Sequence, residues 1–594
     1  MKCRLVNENF QSNYTENLLK ARGVENIEEF LFPTKDSLSS PTDLDNIDTG
    51  ADLYLDVINK NGKILLIVDS DNDGFTSAAI FYLYTKRLNP EIEIDYLLHK
   101  GKQHGLSDHM DTILNSKEKY SLVVLPDSSS NDFSYHEQLK EINLPCLILD
   151  HHINDNEVSS NAIIINNQMS EKYVNKELTG AGVVYQFCRY IDFLRDTDWA
   201  DDYIDLAAWG IIGDMGSVIE PENRYIIYTG CNNVKNSFLL HLLDKQSYSI
   251  TGKMAATKAE IIEALNPISS AFYLVPLVNA TIRVGTDEEK ERLFEAYLDG
   301  DKLIPSNKRG AKGTLEKAGI EVARECTNAR SRQNRILDAA VDSIEAKIHK
   351  RGLLDNRILF VRLDEDDDFP PELNGLVAMK LSQKFSRPTI IARHGEDGYD
   401  KGSMRGLNQS ELNSFKDFLE SSSLFDYVSG HDNAAGISIF DKYLSDFHNY
   451  ANKALNNIDF GENIYNVNFE RDSTANDISD LITDISNHKK NKIWGRSNDE
   501  PLIFVTNLKI NKNNTQIMGK NKDTIKFVVN DISYIKFKAK ELVEFFENIK
   551  DTVTIDVVGT ANLNEWGGKI TPQLFITDLD IKQEKQNRPE WALF

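Results

Sequence analysis

The sequence has 594 residues, 41% of them hydrophobic and 27% charged, which predicts about three or four folded domains rather than one core. Its 92 acidic and 67 basic residues give a net charge of −25, which argues against a nucleic-acid partner unless basic residues concentrate locally. There is no apolar run of the roughly 18 residues that a membrane span needs, no secretion signal and no CxxC pair among five cysteines, so we expect a cytoplasmic protein without membrane contact, structural zinc or disulfides.

The first half of the sequence alternates short apolar runs with helical segments. Continuous apolar strands between helices are typical of a parallel sheet that is covered on both faces. We therefore predict an α/β domain with a mostly parallel sheet in this half. The predicted strands are 63–69, 92–97, 121–126, 145–149 and 162–165, and the predicted helices are 75–88, 178–192 and 202–213.

The second half of the sequence shows three further patterns. Residues 312–350 have helical periodicity, and a helix of that length would extend about 58 Å and commonly bridges two domains. A second α/β unit follows, with strands near 357–362 and 388–392. After an acidic, Asn-rich stretch at 456–490, short β segments between 501 and 582 predict a small β-barrel.

Three carboxylates stand close together at the end of the predicted strand 63–69: Asp69, Asp71 and Asp73. The run resembles a calcium loop, but its twelfth position is Ile80 rather than Glu, and a strand rather than a helix precedes it. Acids crowded at the end of a buried strand repel one another unless cations neutralise them. The run therefore predicts a metal site of another kind.

Further candidate ligands follow other predicted elements. Asp127 and the run Asp150, His151 and His152 each follow a strand, and Asp214 follows an apolar helical segment. The carboxyl ends of strands form the ligand crevice of open α/β sheets. A lone histidine is more often a packed or surface residue, but carboxylates that converge with a histidine suit Mn²⁺ or Mg²⁺. Two such ions stabilise the attacking and leaving oxygens in phosphoryl hydrolysis.

These residues resemble, in order and spacing, the four motifs of the DHH phosphoesterase family. Further segments are similar to the RecJ branch of that family, whose members are single-strand-specific 5′→3′ DNA exonucleases. Each segment is a modest signal alone, but six in the right order are a strong one. The six segments are TENLLKARGVENIEEFLFP at 15–33, LTGAGV at 178–183, PLVNA at 276–280 with Arg283, GSMR at 402–405, GHDNAAG at 430–436 and NEWGG at 564–568.

Three places depart from the family pattern. Ser429 stands where a glycine is expected. Leu277 replaces an arginine, which removes one candidate phosphate contact. The segment from His99 to Leu106 matches only loosely, so we assign no phosphate contact to it.

The resemblance covers nearly the whole chain and implies a fold for each part. The implied α/β architecture has a parallel-sheet DHH domain, a long connecting helix, a smaller α/β DHH-associated domain and a C-terminal OB-like β-barrel. The expected bounds are 1–50 for an N-terminal segment packed on the DHH domain, 51–310 for the DHH catalytic domain, 311–352 for the connecting helix, 353–458 for the DHH-associated substrate-binding domain, 459–489 for a linker and 490–594 for the OB-like nucleic-acid-binding domain.

The predicted catalytic centre consists of Asp69, Asp71, Asp73, Asp127, His151, His152 and Asp214. All of them except His152 are predicted ligands for two Mn²⁺ or Mg²⁺ ions. Asp127 is the best candidate to bridge the ions, and His151 is the nitrogen ligand. The resemblance implies that His152 contacts the scissile phosphate, while Asp150 would hold a histidine ring in place.

Contacts with DNA are also implied. Arg283 suits a 5′-terminal phosphate, because a guanidinium can bind phosphate through two hydrogen bonds. In the DHH-associated domain the implied contacts are Ser403, Arg405, Gly430 and His431. In the barrel, Trp566, Phe537 and Tyr534 are candidates for base stacking, although such aromatics more often lie in a barrel core. Basic residues that could form a groove include Arg324, Arg330, Arg332 and Arg335 on the long helix, Lys380, Lys384, Arg387, Arg393 and Lys401 in the DHH-associated domain, and Lys509, Lys512, Lys520, Lys522, Lys526, Lys536, Lys538 and Lys540 in the barrel.

The resemblance therefore predicts a metal-dependent exonuclease of single-stranded DNA that acts in recombination and repair. We expect a monomer, with a single-strand-binding protein or a helicase as a candidate partner. One alternative is a DHH phosphodiesterase of short oligonucleotides or cyclic dinucleotides, and the barrel argues against it. The other is an inactive DHH scaffold that binds single strands, and the complete set of ligand residues argues against that.

Overall fold

The structure is a computed structural model that describes residues 1–101, 103–116, 119–154, 159, 161–566 and 568–582, apart from the side chain of Trp566. The chain divides into two compact units. The parallel-sheet unit comprises Glu28–Ile336 and Lys489–Asp499, and the mixed-sheet unit comprises Met1–Ile27, Leu337–His488 and Glu500–Phe594.

Strands alternate with helices through the first third of the chain. Up to residue 101 the elements are β1 (Lys2–Leu5), α1 (Tyr14–Ala21), α2 (Ile27–Leu31), α3 (Ile47–Asn59), β2 (Ile64–Val68), α4 (Asn72–Leu88) and β3 (Ile94–Leu98). There follow α5 (Met110–Asn115), β4 (Leu122–Pro126), α6 (Phe133–Glu141), β5 (Cys146–Asp150), β6 (Ala162–Asn166), α7 (Gly180–Arg195) and α8 (Ile204–Gly213).

A mostly helical stretch comes next. Its elements are α9 (Pro221–Asn232), α10 (Ser237–Lys245), α11 (Ser247–Thr251), α12 (Lys258–Ala264), α13 (Pro267–Tyr273), α14 (Val275–Val284), α15 (Asp287–Leu298), β7 (Leu303–Pro305), β8 (Leu315–Lys317) and α16 (Ala318–Lys350).

The remaining elements alternate between strands and helices and end with a series of strands. They are β9 (Leu359–Arg362), α17 (Asn374–Phe385), β10 (Thr389–His394), β11 (Tyr399–Arg405), α18 (Phe415–Ser421), β12 (Phe425–His431), β13 (Ala434–Phe440) and α19 (Leu444–Ala454). The last are β14 (Ile464–Val467), β15 (Phe469–Asp472), α20 (Ile478–His488), β16 (Leu502–Ile510), β17 (Thr515–Met518), β18 (Thr524–Val529), β19 (Ile532–Lys536), α21 (Lys540–Glu547), β20 (Val553–Trp566) and β21 (Lys569–Lys582).

The five strands of the parallel sheet are arranged in the order β3-β2-β4-β5-β6, and all neighbouring pairs are parallel. Every residue of β2, β4 and β5 is buried. Alternate side chains of these strands belong to two separate apolar cores, one on each face of the sheet. This explains why the strands are apolar throughout rather than alternating with polar residues. The chain leaves β2 toward β3 on one side and reaches β4 on the other, so a ligand crevice is expected between β2 and β4.

The mixed-sheet unit contains a five-stranded sheet in the order β12-β13-β11-β10-β9 and a seven-stranded sheet in the order β15-β16-β20-β21-β19-β18-β17. In the first, only β9 and β10 are parallel among the paired strands. In the second, long antiparallel pairing joins β20 and β21. The segment 459–489, predicted to be a linker, contains β14, β15 and α20, and β15 pairs with β16. The domain bounds otherwise stay predictions.

Two helices begin three or more residues away from their predicted starts. Helix α4 begins at Asn72 rather than 75, because the Asp71 carboxylate accepts a hydrogen bond from the Gly74 amide at 3.0 Å and caps the helix. Helix α16 begins at Ala318 rather than 312, because β8 pairs with β7 in an antiparallel hairpin. The described residues include no single helix with the length and composition of a membrane span, although the bent pair Lys258–Ala264 and Pro267–Val284 has them.

Candidate metal centre and nucleic-acid contacts

The crevice at the carboxyl ends of β2, β4 and β5 collects most of the predicted centre. Asp69 follows β2, Asp127 follows β4, and Asp150 is the last residue of β5. All three are at most 2% exposed. Because these strands are neighbours in the sheet, residues far apart in sequence meet at one edge.

Asp73 is held by the first turn of another helix. Its carboxylate accepts hydrogen bonds from the Gly180 amide at 2.7 Å, the Thr179 hydroxyl at 3.0 Å and the Ala181 amide at 3.1 Å. These donors lie at the N-terminus of α7, where backbone amides lack partners within the helix. Burial and the neighbouring Asp71 nevertheless raise the pKa of Asp73 to about 7. The carboxylate is fixed in place, and a nearby positive charge would favour its ionised form.

His151 lies among three carboxylates. Its Nε2 atom is 3.2 Å from Asp127 Oδ1, 3.6 Å from Asp214 Oδ2 and 4.0 Å from Asp73 Oδ2. Burial lowers the pKa of His151 to about 4, so the ring is neutral and can act as a nitrogen ligand. Asp214 comes directly after α8 and is partly exposed.

The donor atoms group as metal sites require. One group consists of Asp73, His151 and Asp214, and another consists of Asp69, Asp71 and Asp127. Within each group the ligand atoms lie within 4.8 Å of one another. The Oδ1 atoms of Asp69 and Asp127 are buried and have no hydrogen-bond partner in the described part of the chain. Burial and the surrounding aspartates raise the pKa of Asp127 well above its ordinary value. A buried carboxylate oxygen without a donor is costly, and a divalent cation would satisfy it. The residues therefore fit a metal with oxygen and nitrogen ligands.

The Asp150 carboxylate holds the ring of His152, and its ligand atom also groups with those of Asp127 and His151. One of its oxygens accepts hydrogen bonds from the His152 ring Nδ1 at 2.8 Å and from the backbone amide of His151 at 2.7 Å, and the other accepts from the Ser130 amide at 3.0 Å. Burial lowers the pKa of His152, but the Asp150 carboxylate outweighs this effect and raises that pKa to about 10. The His152 side chain is 55% exposed. It thus presents a cationic ring at the rim of the crevice.

Sequence reasoning missed His104. Its Nδ1 atom lies 2.6 Å from Asp69 Oδ2, and the buried His99 ring is 3.8 Å from Asp69 Oδ1. Both belong to the segment that matched the family pattern only loosely, and two histidines within six residues were the available signal. His104 therefore fixes one oxygen of Asp69, a residue whose ligand atoms group with those of Asp71 and Asp127.

We expect His104→Gln to weaken Mn²⁺ binding about tenfold, because residues that orient a metal ligand typically contribute 10- to 100-fold to affinity. Isothermal titration of the metal-free protein measures this directly. His349→Gln, at an exposed position of α16, is the matched control. Unchanged affinity in His104→Gln would show that Asp69 is positioned without it.

Arg283 and two asparagines lie beside the aspartate run. The charge of Asp71 acts on Arg283, whose pKa burial lowers. The Asn72 amide donates to Asn279 Oδ1 at 3.1 Å, and the Asn72 side chain donates to the Trp209 carbonyl at 2.8 Å. The PLVNA segment therefore contacts the first turn of α4, and Arg283 lies near the metal-ligand candidates.

Three of the four predicted DNA contacts of the DHH-associated segment share one face of the five-stranded sheet, and the fourth, Gly430, directly precedes one of them on β12. Arg405 on β11 and His431 on β12 both pair with Ala434 on β13, and Ser403 lies two residues from Arg405. Gly430 has a φ of 136°, which disfavours any other residue. The structure thus brings these four residues together, within the mixed-sheet unit.

The barrel aromatics have different surroundings. Tyr534 is 1% exposed and lies in the core, so its predicted stacking role is wrong. Phe537 is half-exposed and packs edge-to-face on Phe575 at 5.2 Å. The Trp566 side chain lies outside the described residues, so its stacking role stays a prediction.

Several of the basic residues expected to form a groove are in ion pairs. Arg324 pairs with Glu316 and Glu321, and Arg332 pairs with Glu289. The other paired residues are Lys380 with Asp338, Lys384 with Glu345, and Lys401 with Asp397. These cations are less available to phosphate than the sequence suggests.

Comparison with known proteins identifies similar families and folds. The family model described as DHH family, N-terminal domain, matches residues 63–211, and that of the RecJ OB domain matches 476–578. An SPbeta-prophage-derived protein of Bacillus subtilis (strain 168), named as the single-strand DNA-specific exonuclease YorK, is 34% identical and covers 99% of each chain. The single-stranded-DNA-specific exonuclease RecJ of B. subtilis is 25% identical over 97% of this chain and 68% of its own.

Solved structures show the same fold. RecJ from Thermus thermophilus in complex with Mn²⁺ matches with a TM-score of 0.70 and 16% identity, over 98% of this chain and 80% of that one. Its complex with Mg²⁺ matches with a TM-score of 0.64, also at 16% identity, over 98% and 79%. The predicted fold class, an α/β DHH domain with a C-terminal OB-like barrel, is confirmed.

Proposed function

The chain belongs to the DHH family, in the RecJ branch of single-strand-specific exonucleases, and we propose on this basis that it hydrolyses single-stranded DNA in the 5′→3′ direction with Mn²⁺ or Mg²⁺. The observation that carries the proposal is the convergence of ligand-type side chains in one crevice. Two of their buried carboxylate oxygens, on Asp69 and Asp127, have no donor in the described chain. Such an arrangement suits metal-assisted phosphodiester hydrolysis.

The proposed ligands of two ions are Asp69, Asp71, Asp73, Asp127, His151 and Asp214. When bound, two divalent cations stabilise the negative charge on the attacking and leaving oxygens of the phosphate. The protein contributes the fixed positions of its carboxylates. Asp73 is oriented by the α7 amides and Asp69 by His104.

Other residues position the strand. Asp150 holds the His152 ring by Nδ1, which leaves Nε2 to donate to an oxygen of the scissile phosphate. Arg283, beside Asp71, suits a 5′-terminal phosphate. In the mixed-sheet unit, Ser403, Arg405, Gly430 and His431 are the proposed strand contacts, and Trp566 is a proposed stacking residue of the barrel.

The proposed setting is DNA recombination and repair in the cytoplasm. We propose that the protein acts as a monomer. A single-strand-binding protein or a helicase would supply or extend the single strand that it degrades.

Digestion of end-blocked strands tests the function. With Mn²⁺ or Mg²⁺, we expect 5′-open single strands to be degraded, and 5′-blocked strands, duplexes and samples with chelator to survive. Degradation from the 3′ end would overturn the polarity. Cleavage confined to dinucleotides or cyclic dinucleotides would indicate a short-substrate phosphodiesterase. Strand binding without cleavage or metal uptake would indicate a scaffold.

A further inference from the structure

Strands β7 and β8 and the turn between them form a hairpin, residues 303–317, that carries exposed cations and is here called the basic hairpin. Its turn carries Lys308, Arg309 and Lys312, all exposed. None of the three forms an ion pair within the described part of the chain, unlike Arg324, Arg332, Lys380 and Lys384. The chain has a net charge of −25, yet this turn carries three exposed cations and no acidic residue. Such a local positive charge favours binding of an anionic partner.

The turn has a defined conformation. The Gly313 amide donates to the Ser306 carbonyl at 2.8 Å, and the Ala311 amide donates to the Lys308 carbonyl at 2.9 Å. Gly310 has a φ of 85° and Gly313 a φ of 84°, values that other residues rarely adopt. The backbone that carries the three cations is therefore hydrogen-bonded within itself.

The base of the basic hairpin is fixed to α16. The Ser306 hydroxyl donates to one oxygen of Glu321 at 3.0 Å, and the Asn307 amide donates to the other at 3.2 Å. Arg324 pairs with both Glu321 and Glu316. The nearest carboxylates are thus already neutralised and do not cancel the charge of the turn.

One face of the basic hairpin is apolar and open to solvent. Leu303 pairs with Lys317 and Pro305 with Leu315, so these four residues share a face. Leu303 is 60% and Leu315 66% exposed, whereas residues 304 and 316 on the opposite face are half-buried. Cations beside exposed apolar side chains match a polymer with anionic phosphates and flat bases.

Helix α16 relates the basic hairpin to the metal centre, because both belong to the parallel-sheet unit. From Glu321, at the base of the hairpin, to Arg330 is nine residues, about 14 Å along a helix. Arg283 is close enough to both Asp71 and Arg330 to feel their charges. Burial lowers the pKa of Arg283, the Asp71 carboxylate raises it, and the Arg330 guanidinium lowers it further. A strand would therefore extend several nucleotides beyond the scissile phosphate to reach the turn.

We propose that the basic hairpin is a further binding site for the single DNA strand, in which Lys308, Arg309 and Lys312 contact phosphates and Leu303 and Leu315 contact bases. The identity of the polymer rests on the proposed function. A single strand fits better than an acidic peptide, because the hairpin offers the exposed side chains of Leu303 and Leu315 beside its cations, and the faces of bases can pack on them.

Salt-dependent binding tests the phosphate contacts. The full-length triple variant Lys308→Gln, Arg309→Gln, Lys312→Gln is compared with a control that loses the same charge at exposed positions elsewhere, Lys172→Gln, Lys245→Gln, Lys258→Gln. Binding of a labelled strand of about 20 nucleotides is measured with EDTA, so that no cleavage occurs. Because each phosphate contact contributes about 0.7 to the slope of log affinity against log salt, we expect the slope of the hairpin variant to be less steep by about 2, with affinity about tenfold below the control. The difference should shrink for a strand of about four nucleotides.

A second variant tests the base contacts. Leu303→Ser, Leu315→Ser removes only exposed apolar side chains and should fold normally. We expect it to weaken binding of the long strand severalfold, but not binding of an abasic deoxyribose-phosphate strand of the same length.

Equal slopes and affinities for the triple variant and its control would overturn the proposal. The proposal would also be contradicted if the unaltered protein bound the long strand no more tightly than the short one. A third contrary result would be an acidic peptide that displaces the long strand from the unaltered protein but does not bind the hairpin variant. These binding results are independent of cleavage. Failure of the unaltered protein to digest single strands with Mn²⁺ would instead contradict the proposed exonuclease function.

Discussion

Replacing Asp127 by Asn is expected to reduce hydrolysis of single-stranded DNA by about a thousandfold or more. Asp127 is the aspartate among the predicted ligands that contributes to two groups of ligand atoms, one with Asp69 and Asp71 and one with Asp150, His151 and His152. The amide keeps the size of the side chain but loses the charge that would hold cations. Single-turnover digestion of a 5′-labelled strand with Mn²⁺ measures the effect.

Two further measurements separate a metal defect from misfolding. Burial and neighbouring aspartates raise the pKa of Asp127, so without metal its ionised form is less favourable in the folded chain than in the unfolded one. We therefore expect the variant to melt at the same temperature or higher in EDTA, while the stabilisation that Mn²⁺ gives the unaltered protein is reduced. Strand binding in EDTA should persist. Asp111→Asn, at an exposed position of α5, is the control, and substantial cleavage by Asp127→Asn would remove Asp127 from the centre.

The site could be predicted from the sequence as far as it depends on strand ends. Apolar strands buried on both faces are visible as uninterrupted runs, and parallel strands present their carboxyl ends at one edge. Asp69, Asp127 and Asp150 could therefore be placed together before any coordinates were known. Asp214 follows an apolar helical segment rather than a strand, so the strand-end argument alone does not place it beside the others.

Contacts made by loops and helix ends could not be predicted in the same way. His104 follows β3 and lies outside any helix or strand, and no periodicity encodes its contact with Asp69. The late start of α16 depends on the pairing of β8 with β7, a contact between segments about ten residues apart that competes with local helix propensity. Ion pairs such as Arg324 with Glu321 also form only in the folded chain. Ion pairs thus occupy Arg324 and Arg332 of the predicted groove, whereas the three cations of the basic hairpin form none among the described residues.

Replacing Gly180 by Ala is expected to lower kcat for strand cleavage by about a hundredfold. A Cβ atom at this position would lie 2.5 Å from the Cβ of Asp127, closer than real Cβ contacts allow. Asp127 cannot yield easily, since its amide donates to the Leu149 carbonyl at 2.8 Å and its φ is 68°. Either Asp127 or the start of α7, which holds Asp73, must therefore move, and a displacement of about 1 Å in a catalytic group costs roughly this much.

The effect of this substitution on stability sharpens the test. Ala is the better helix former by about 1 kcal/mol at an unstrained position, so without the steric conflict the variant would be more stable than the unaltered protein. With the conflict, overpacking by about 1–3 kcal/mol outweighs that gain, and melting in EDTA should fall by a few degrees. Mn²⁺ affinity, measured by titration, should fall with kcat because a predicted metal ligand shifts in either case. Gly461→Ala serves as the control, since a Cβ there meets only the Asp459 carboxylate oxygen at 3.2 Å. A more stable Gly180→Ala variant with unaltered metal affinity would show that α7 does not fix the geometry of the centre.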